Sequence, residues 1–115
     1  MALSSTKGAG VVNSQCLVST LADDPDMVEL LDSYVEDLQQ RAQTLEKLAS
    51  ANDRTALAHL SHQIKGSAGG YGFMPITEQA GVVEKQALAQ TQAEELHRAV
   101  GELIALCRRA RSRAA

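Results

Sequence analysis

From Asp24 onward, apolar and small side chains return every three or four positions. Met27, Leu30, Leu31, Tyr34, Val35, Leu38, Ala42, Leu45, Leu48 and Ala49 form one stripe. Glu29, Asp32, Glu36, Gln40 and Lys47 lie opposite. Sustained for about six turns, this spacing predicts a long amphipathic helix. Asp24 is placed to cap it and Pro25 to open it. Asn52 and Asp53 stop that helix and can cap a second, whose stripe is Leu57, Leu60, Ile64, Ala68 and Tyr71. Gly69, Gly70 and Gly72 break the pattern, and Pro75 opens a third helix with Ile76, Ala80, Val83 and Ala87 facing inward. Thr91 and Glu94 have capping-box spacing ahead of a fourth stripe, Leu96, Val100, Leu103 and Cys107.

Links of roughly two to five residues make successive helices antiparallel. The expected fold is therefore all-α, an antiparallel up-down-up-down four-helix bundle. A short N-terminal helix is also expected, capped by Asn13 and carrying Cys16, Leu17, Thr20 and Leu21 on one side. Residues 1–12 read as a flexible N-terminal segment and 13–113 as the bundle domain; strand patterns and internal repeats are absent.

Composition narrows the function classes. A chain of 115 residues fits one domain, and 44% apolar residues suffice for a core. No apolar run approaches the roughly 20 residues that cross a bilayer, and Ser4 to Gly10 does not read as a secretory leader. The chain is expected to be cytoplasmic and free of the membrane. A net charge of −3 with 3% aromatics argues against nucleic acid. The basic end, Arg108, Arg109, Arg111 and Arg113, suits the negative end of the last helix dipole. Cys16 and Cys107 have no metal or redox spacing. His59 and His62 stand three apart as zinc ligands can, but further ligands are missing, so no metal site is expected.

The segment from His59 to Gly72 is not what a plain bundle needs. At about 100° per residue, His62 falls opposite the second helix's apolar stripe. Gly66 and Gly69 flank it on the outer side, and Lys65 stands beside it. If both glycines are helical, they cost roughly 2 kcal/mol together relative to alanine. Missing Cβ atoms there would clear room for another molecule around an exposed imidazole. Spacing alone fits equally well with surface glycines tolerated near a fraying helix end. Neutral imidazole is a nucleophile near neutral pH, and Lys65 is placed to bring an ammonium group towards a phosphoryl group on it.

His62-Gln63-Ile64-Lys65-Gly66-Ser67-Ala68, with Gly72 four residues later, resembles the histidine-containing phosphotransfer (HPt) family of phosphorelays. Val83-Glu84 fits the hydrophobic-acidic pair often found on that family's next helix, and the likeness runs from about Asp24 to Ala89. Ser61 stands where the family often has Ala and Ile64 where Leu is common, both conservative in size.

The resemblance implies that His62 accepts a phosphoryl group from a receiver-domain aspartyl phosphate through Nε2 and passes it to another receiver. It implies that Lys65 stabilises the phosphoryl group, that Gly66 and Gly69 give the partner access, and that Glu84 orients the histidine through Nδ1–H. The partners implied are the receivers of a hybrid sensor kinase and a response regulator. The chain has no phosphate loop of the G-x-x-x-x-G-K-[ST] kind, so it is expected to be a phosphocarrier without kinase activity. No cofactor is expected on the chain itself, with Mg²⁺ brought by the receiver, and a monomer keeps the reactive face free. The alternative is a helical adaptor that binds a signalling partner without phosphate transfer.

Overall fold

A computed structural model of the chain describes residues 16–113. Four helices carry the fold: α1 (Val28–Ser50), α2 (Arg54–Ala68), α3 (Met74–Leu88) and α4 (Ala93–Arg109). Each packs on the next, and α4 closes back on α1. Leu38 and Leu45 of α1, Leu57 and Ile64 of α2, Ile76 and Val83 of α3 and Leu103 of α4 are completely buried, so the apolar stripes meet in one core. Only Leu30 departs clearly from its stripe. It lies one residue, and hence about 100°, from the core residue Leu31 and stays exposed.

The helix starts follow local chemistry. Asp24 accepts from the backbone N–H of Asp26 and caps a 3-10 turn, Pro25–Met27, that leads into α1. Asp53 accepts from the N–H of Ala56 at the start of α2, and Asn52 makes the preceding turn with φ of 55°. The expected capping box before α4 does not form. Gln92 occupies the cap position and makes no side-chain cap bond. Thr91 is held elsewhere: its carbonyl accepts from the Arg54 guanidinium and its N–H donates to Gln86 O.

Contacts run in opposite senses along paired helices. The Asn52–His97 bond joins the end of α1 to the start of α4, while Gln39 reaches the Cys107 carbonyl. Along α2 and α3, Lys65 meets Thr77 and Arg54 meets Gln86.

The N-terminal segment corrects the expectation of a short helix. Leu17–Val18 is a strand, β1, paired in parallel with β2 (Ala110–Arg111). The helical spacing from Cys16 to Leu21 covers barely two turns, and helices so short are marginal alone. Beyond the end of α4 the backbone has free hydrogen-bonding groups, and β1 satisfies them. Ser19 N–H donates to Arg111 O at 3.2 Å. Asn13 and the expected flexible segment 1–12 lie outside the described residues.

The same strap reaches the turn after α2. Thr20 N–H donates to Gly72 O at 3.0 Å, and the Ser19 hydroxyl donates to Tyr71 O at 2.6 Å. Gly72 has φ of 85°. A Cβ there would stand 2.8 Å from Thr20 N and run into the Ser19 hydroxyl. Both the left-handed backbone and the close approach of the strap require glycine.

Candidate functional site

α2 is anchored from below, and that determines what its outer face presents. Ile64 and Ala68 are fully buried. Beside them, the Tyr34 ring stacks on Tyr71 with centroids 4.2 Å apart and planes 12° from parallel. The Tyr34 hydroxyl and Ser67 Oγ share a hydrogen bond of 2.6 Å. On the other flank, Thr77 Oγ1 of α3 donates to the Lys65 carbonyl at 3.2 Å. With the helix held on both sides, His62 turns away from the core and its side chain is 63% exposed.

Three side chains converge there. His62 Nδ1 lies 2.9 Å from Glu84 Oε2, and Lys65 Nζ lies 2.6 Å from Glu84 Oε1. Glu84 comes from α3 and is 19% exposed, so one half-buried carboxylate uses both oxygens on groups of α2. Its carboxyl is held below the usual range, first by the Lys65 hydrogen bond; partial burial opposes this, and the His62 bond assists it. An ionised carboxylate can only accept, so Nδ1 must carry the hydrogen. In the neutral ring the lone pair then resides on Nε2, which makes no hydrogen bond among the described residues. Ion pairs exposed to this degree add little stability. Their consequence is geometric, since they fix ring orientation and tautomer.

The two glycines assigned to partner access behave differently. A Cβ on Gly66 would meet nothing within 4 Å, so that position is open next to His62. Gly69 is not open. It sits past the end of α2 in a 3-10 turn (Gly69–Tyr71), where a Cβ would lie 3.2 Å from Thr77 Oγ1 and 3.4 Å from Met74 Cε. The wheel places Gly69 outward only if α2 stands alone. The start of α3 lies beside it, so a side chain at this position would press on Thr77 and Met74.

Other features had no clear mark in the sequence. Leu88, at the end of α3, is 67% exposed beside an open depression lined by Thr55, Ala58, His59, His62 and Glu84. Gly81 of α3 leaves the Lys65 stem room, since a Cβ there would touch Lys65 Cδ at 3.4 Å. Ser61, the residue before His62, is fully buried, and its hydroxyl has no hydrogen-bond partner among the described residues. Among the described residues no three His, Cys, Asp or Glu side chains gather as metal ligands. Burial pushes the Cys107 thiol up to about 12, which keeps it protonated and inert in the core.

The family model described as "Hpt domain" matches residues 29–113. The chain belongs to the Hpt domain family. No curated protein and no solved structure matches it. The family match spans the four helices from the second residue of α1 onward, including α2 and α3, which together carry the His62–Lys65–Glu84 cluster. Membership brings phosphotransfer in phosphorelays as the general activity, carried out by phosphocarriers that interact with receiver domains. Among the described residues no helix of this Hpt domain is long and apolar enough to cross a membrane.

Proposed function

We propose that His62 is the phosphoacceptor, taking a phosphoryl group from the aspartyl phosphate of one receiver domain and delivering it to the aspartate of another. The observation that carries this reading is the ring's combination of exposure and hydrogen bonding. His62 is open to solvent, Nδ1 is committed to Glu84, and the nucleophilic lone pair is left on Nε2.

In the transfer the Nε2 lone pair attacks phosphorus. The bond from phosphorus to the aspartyl oxygen breaks, and the carboxylate departs with the electron pair. The proton stays on Nδ1, so the ring becomes a phosphorylated imidazolium whose positive charge faces the Glu84 carboxylate. Reversal onto a second receiver follows the same path. Such chemistry depends on positioning and electrostatics. Lys65 stabilises the phosphoryl charge, Glu84 orients the ring, and Gly66 leaves room for the receiver backbone. The receiver supplies Mg²⁺ and its aspartate, and the chain adds no kinase activity of its own.

The contacts between α1 and α4 and between α2 and α3 support an up-down-up-down bundle in which residues 13–113 act as one domain. The donor receiver belongs to a hybrid sensor kinase and the acceptor to a response regulator. The protein works as a cytoplasmic monomer. Incubation with a receiver carrying radiolabelled phosphate tests the reading. Label should reach the wild type and not a folded His62→Gln variant. Label that reaches the variant would place the chemistry on another residue, and label that never reaches the wild type would leave an adaptor.

A further inference from the structure

Glu84 touches both groups assigned to the phosphoryl chemistry. Its Oε1 holds Lys65 Nζ at 2.6 Å, and its Oε2 holds His62 Nδ1 at 2.9 Å. In the unmodified protein the Lys65 ammonium therefore already has a counter-ion. We propose that Glu84 keeps Lys65 in reserve and releases it to the phosphoryl group when His62 is modified. The Lys65–Glu84 and Lys65–phosphoryl contacts would then be alternatives. This inference rests on His62 being the phosphoacceptor.

The charges favour the exchange. The ring that attacks is the neutral form, and Lys65 and Glu84 cancel. After transfer the ring carries a positive charge against Glu84 and a phosphoryl group with two negative charges. Glu84 has then gained a cationic partner at Nδ1 and no longer depends on Lys65. The ammonium meanwhile has a dianion on the same face of α2, and attraction scales with the product of charges. Lys65 is free to move. Its side chain is 39% exposed, and its stem passes over Gly81, where no Cβ obstructs it. The titratable groups facing the ring are Lys65 and His59 of α2 and Glu84 of α3. The unmodified protein thus presents a neutral, closed network, and the modified protein an ammonium clamped on phosphate. A receiver meets a different surface in each state.

The test uses the full chain in a His59→Gln, His97→Gln background, so that His62 is the one histidine left. Phosphoramidate loads it without a receiver, which separates this inference from receiver transfer. In the unmodified protein, carbon-13 NMR of the Glu84 carboxyl should show a higher titration midpoint in Lys65→Met than with Lys65 present. In the loaded protein, phosphorus-31 NMR should show the phosphoryl midpoint higher in Lys65→Met by roughly half a unit to one unit. Lys65→Arg should restore both midpoints, and Glu84→Gln should leave the phosphoryl midpoint no higher than wild type. An unchanged phosphoryl midpoint in Lys65→Met would mean that Lys65 never leaves Glu84. An unchanged Glu84 midpoint would mean that it was never held there. Either result overturns the exchange. Failure to accept label from a receiver, with both midpoints moving as expected, would overturn the proposed function instead.

Discussion

Ser61→Ala should stabilise the protein, although the residue is fully buried and adjoins the reactive histidine. The Ser61 hydroxyl is inside the core with no hydrogen-bond partner among the described residues. Burying an unpaired hydroxyl costs about 1–3 kcal/mol on the evidence of protein substitutions. Alanine also has the higher helix propensity, by about 0.5 kcal/mol. Both effects favour the variant, while the small void left by one oxygen offsets part of the gain. The net expectation is about 1–2 kcal/mol of added stability. For a domain of this size each kcal/mol moves Tm by roughly 4–8 °C. Calorimetry should show that rise, and urea unfolding should show a higher midpoint with an unchanged slope. Phosphate acceptance at His62 should persist, because Ser61 faces the core and not the ring's partners. A fall in Tm would show that the hydroxyl is hydrogen-bonded in solution and that the core tolerates it for that reason.

Three further expectations separate parts of the site from parts of the fold. Gly66→Leu should raise Tm modestly, since a helical glycine is replaced where nothing obstructs the side chain, and abolish receiver binding, whereas Gly69→Leu should lower Tm by driving a side chain into Thr77 and Met74; equal effects on Tm would refute the distinction. Gly72→Ala should cost about 2 kcal/mol or more, from a left-handed backbone without glycine and a lost bond from Thr20; a denaturation midpoint matching wild type would refute the strap's role. The Glu84 carboxyl is lowered in the folded state, so its contribution is complete above the ordinary carboxyl range and lost as pH falls through the folded value. The stability gap between wild type and Glu84→Gln at neutral pH should therefore close in acid, and a gap that persists at about pH 2 would contradict the pairing.

Much of this protein could be read from one chain of letters. The apolar spacing of Leu31, Leu38 and Leu45, or of Ile76, Ala80 and Val83, is a local property, because a helix maps position onto face without help from its neighbours. Asp53 caps α2 as its sequence suggests, and Asp24 caps the 3-10 turn ahead of α1 instead of α1 itself, since a cap bonds within its own few residues. His62 points outward for the same reason: its angle to the stripe is set inside α2. The Glu84 contact came only through the family resemblance, as the pairing of α2 with α3 spans 22 residues.

Tertiary structure decided whatever depended on a second element. Gly66 and Gly69 look alike on a wheel, yet only at Gly69 would a side chain press on Thr77 and Met74, because α3 starts beside one and not the other. Residues 17–18 follow backbone groups left free at the end of α4, more than 90 residues away, instead of their own weak helical pattern. Glu84 binds Lys65 as well as His62 because helix packing brings both within reach of one carboxylate, and no spacing along the chain encodes that sharing. Local periodicity chooses a residue's face, while the neighbouring element chooses whether that face is open, covered or paired.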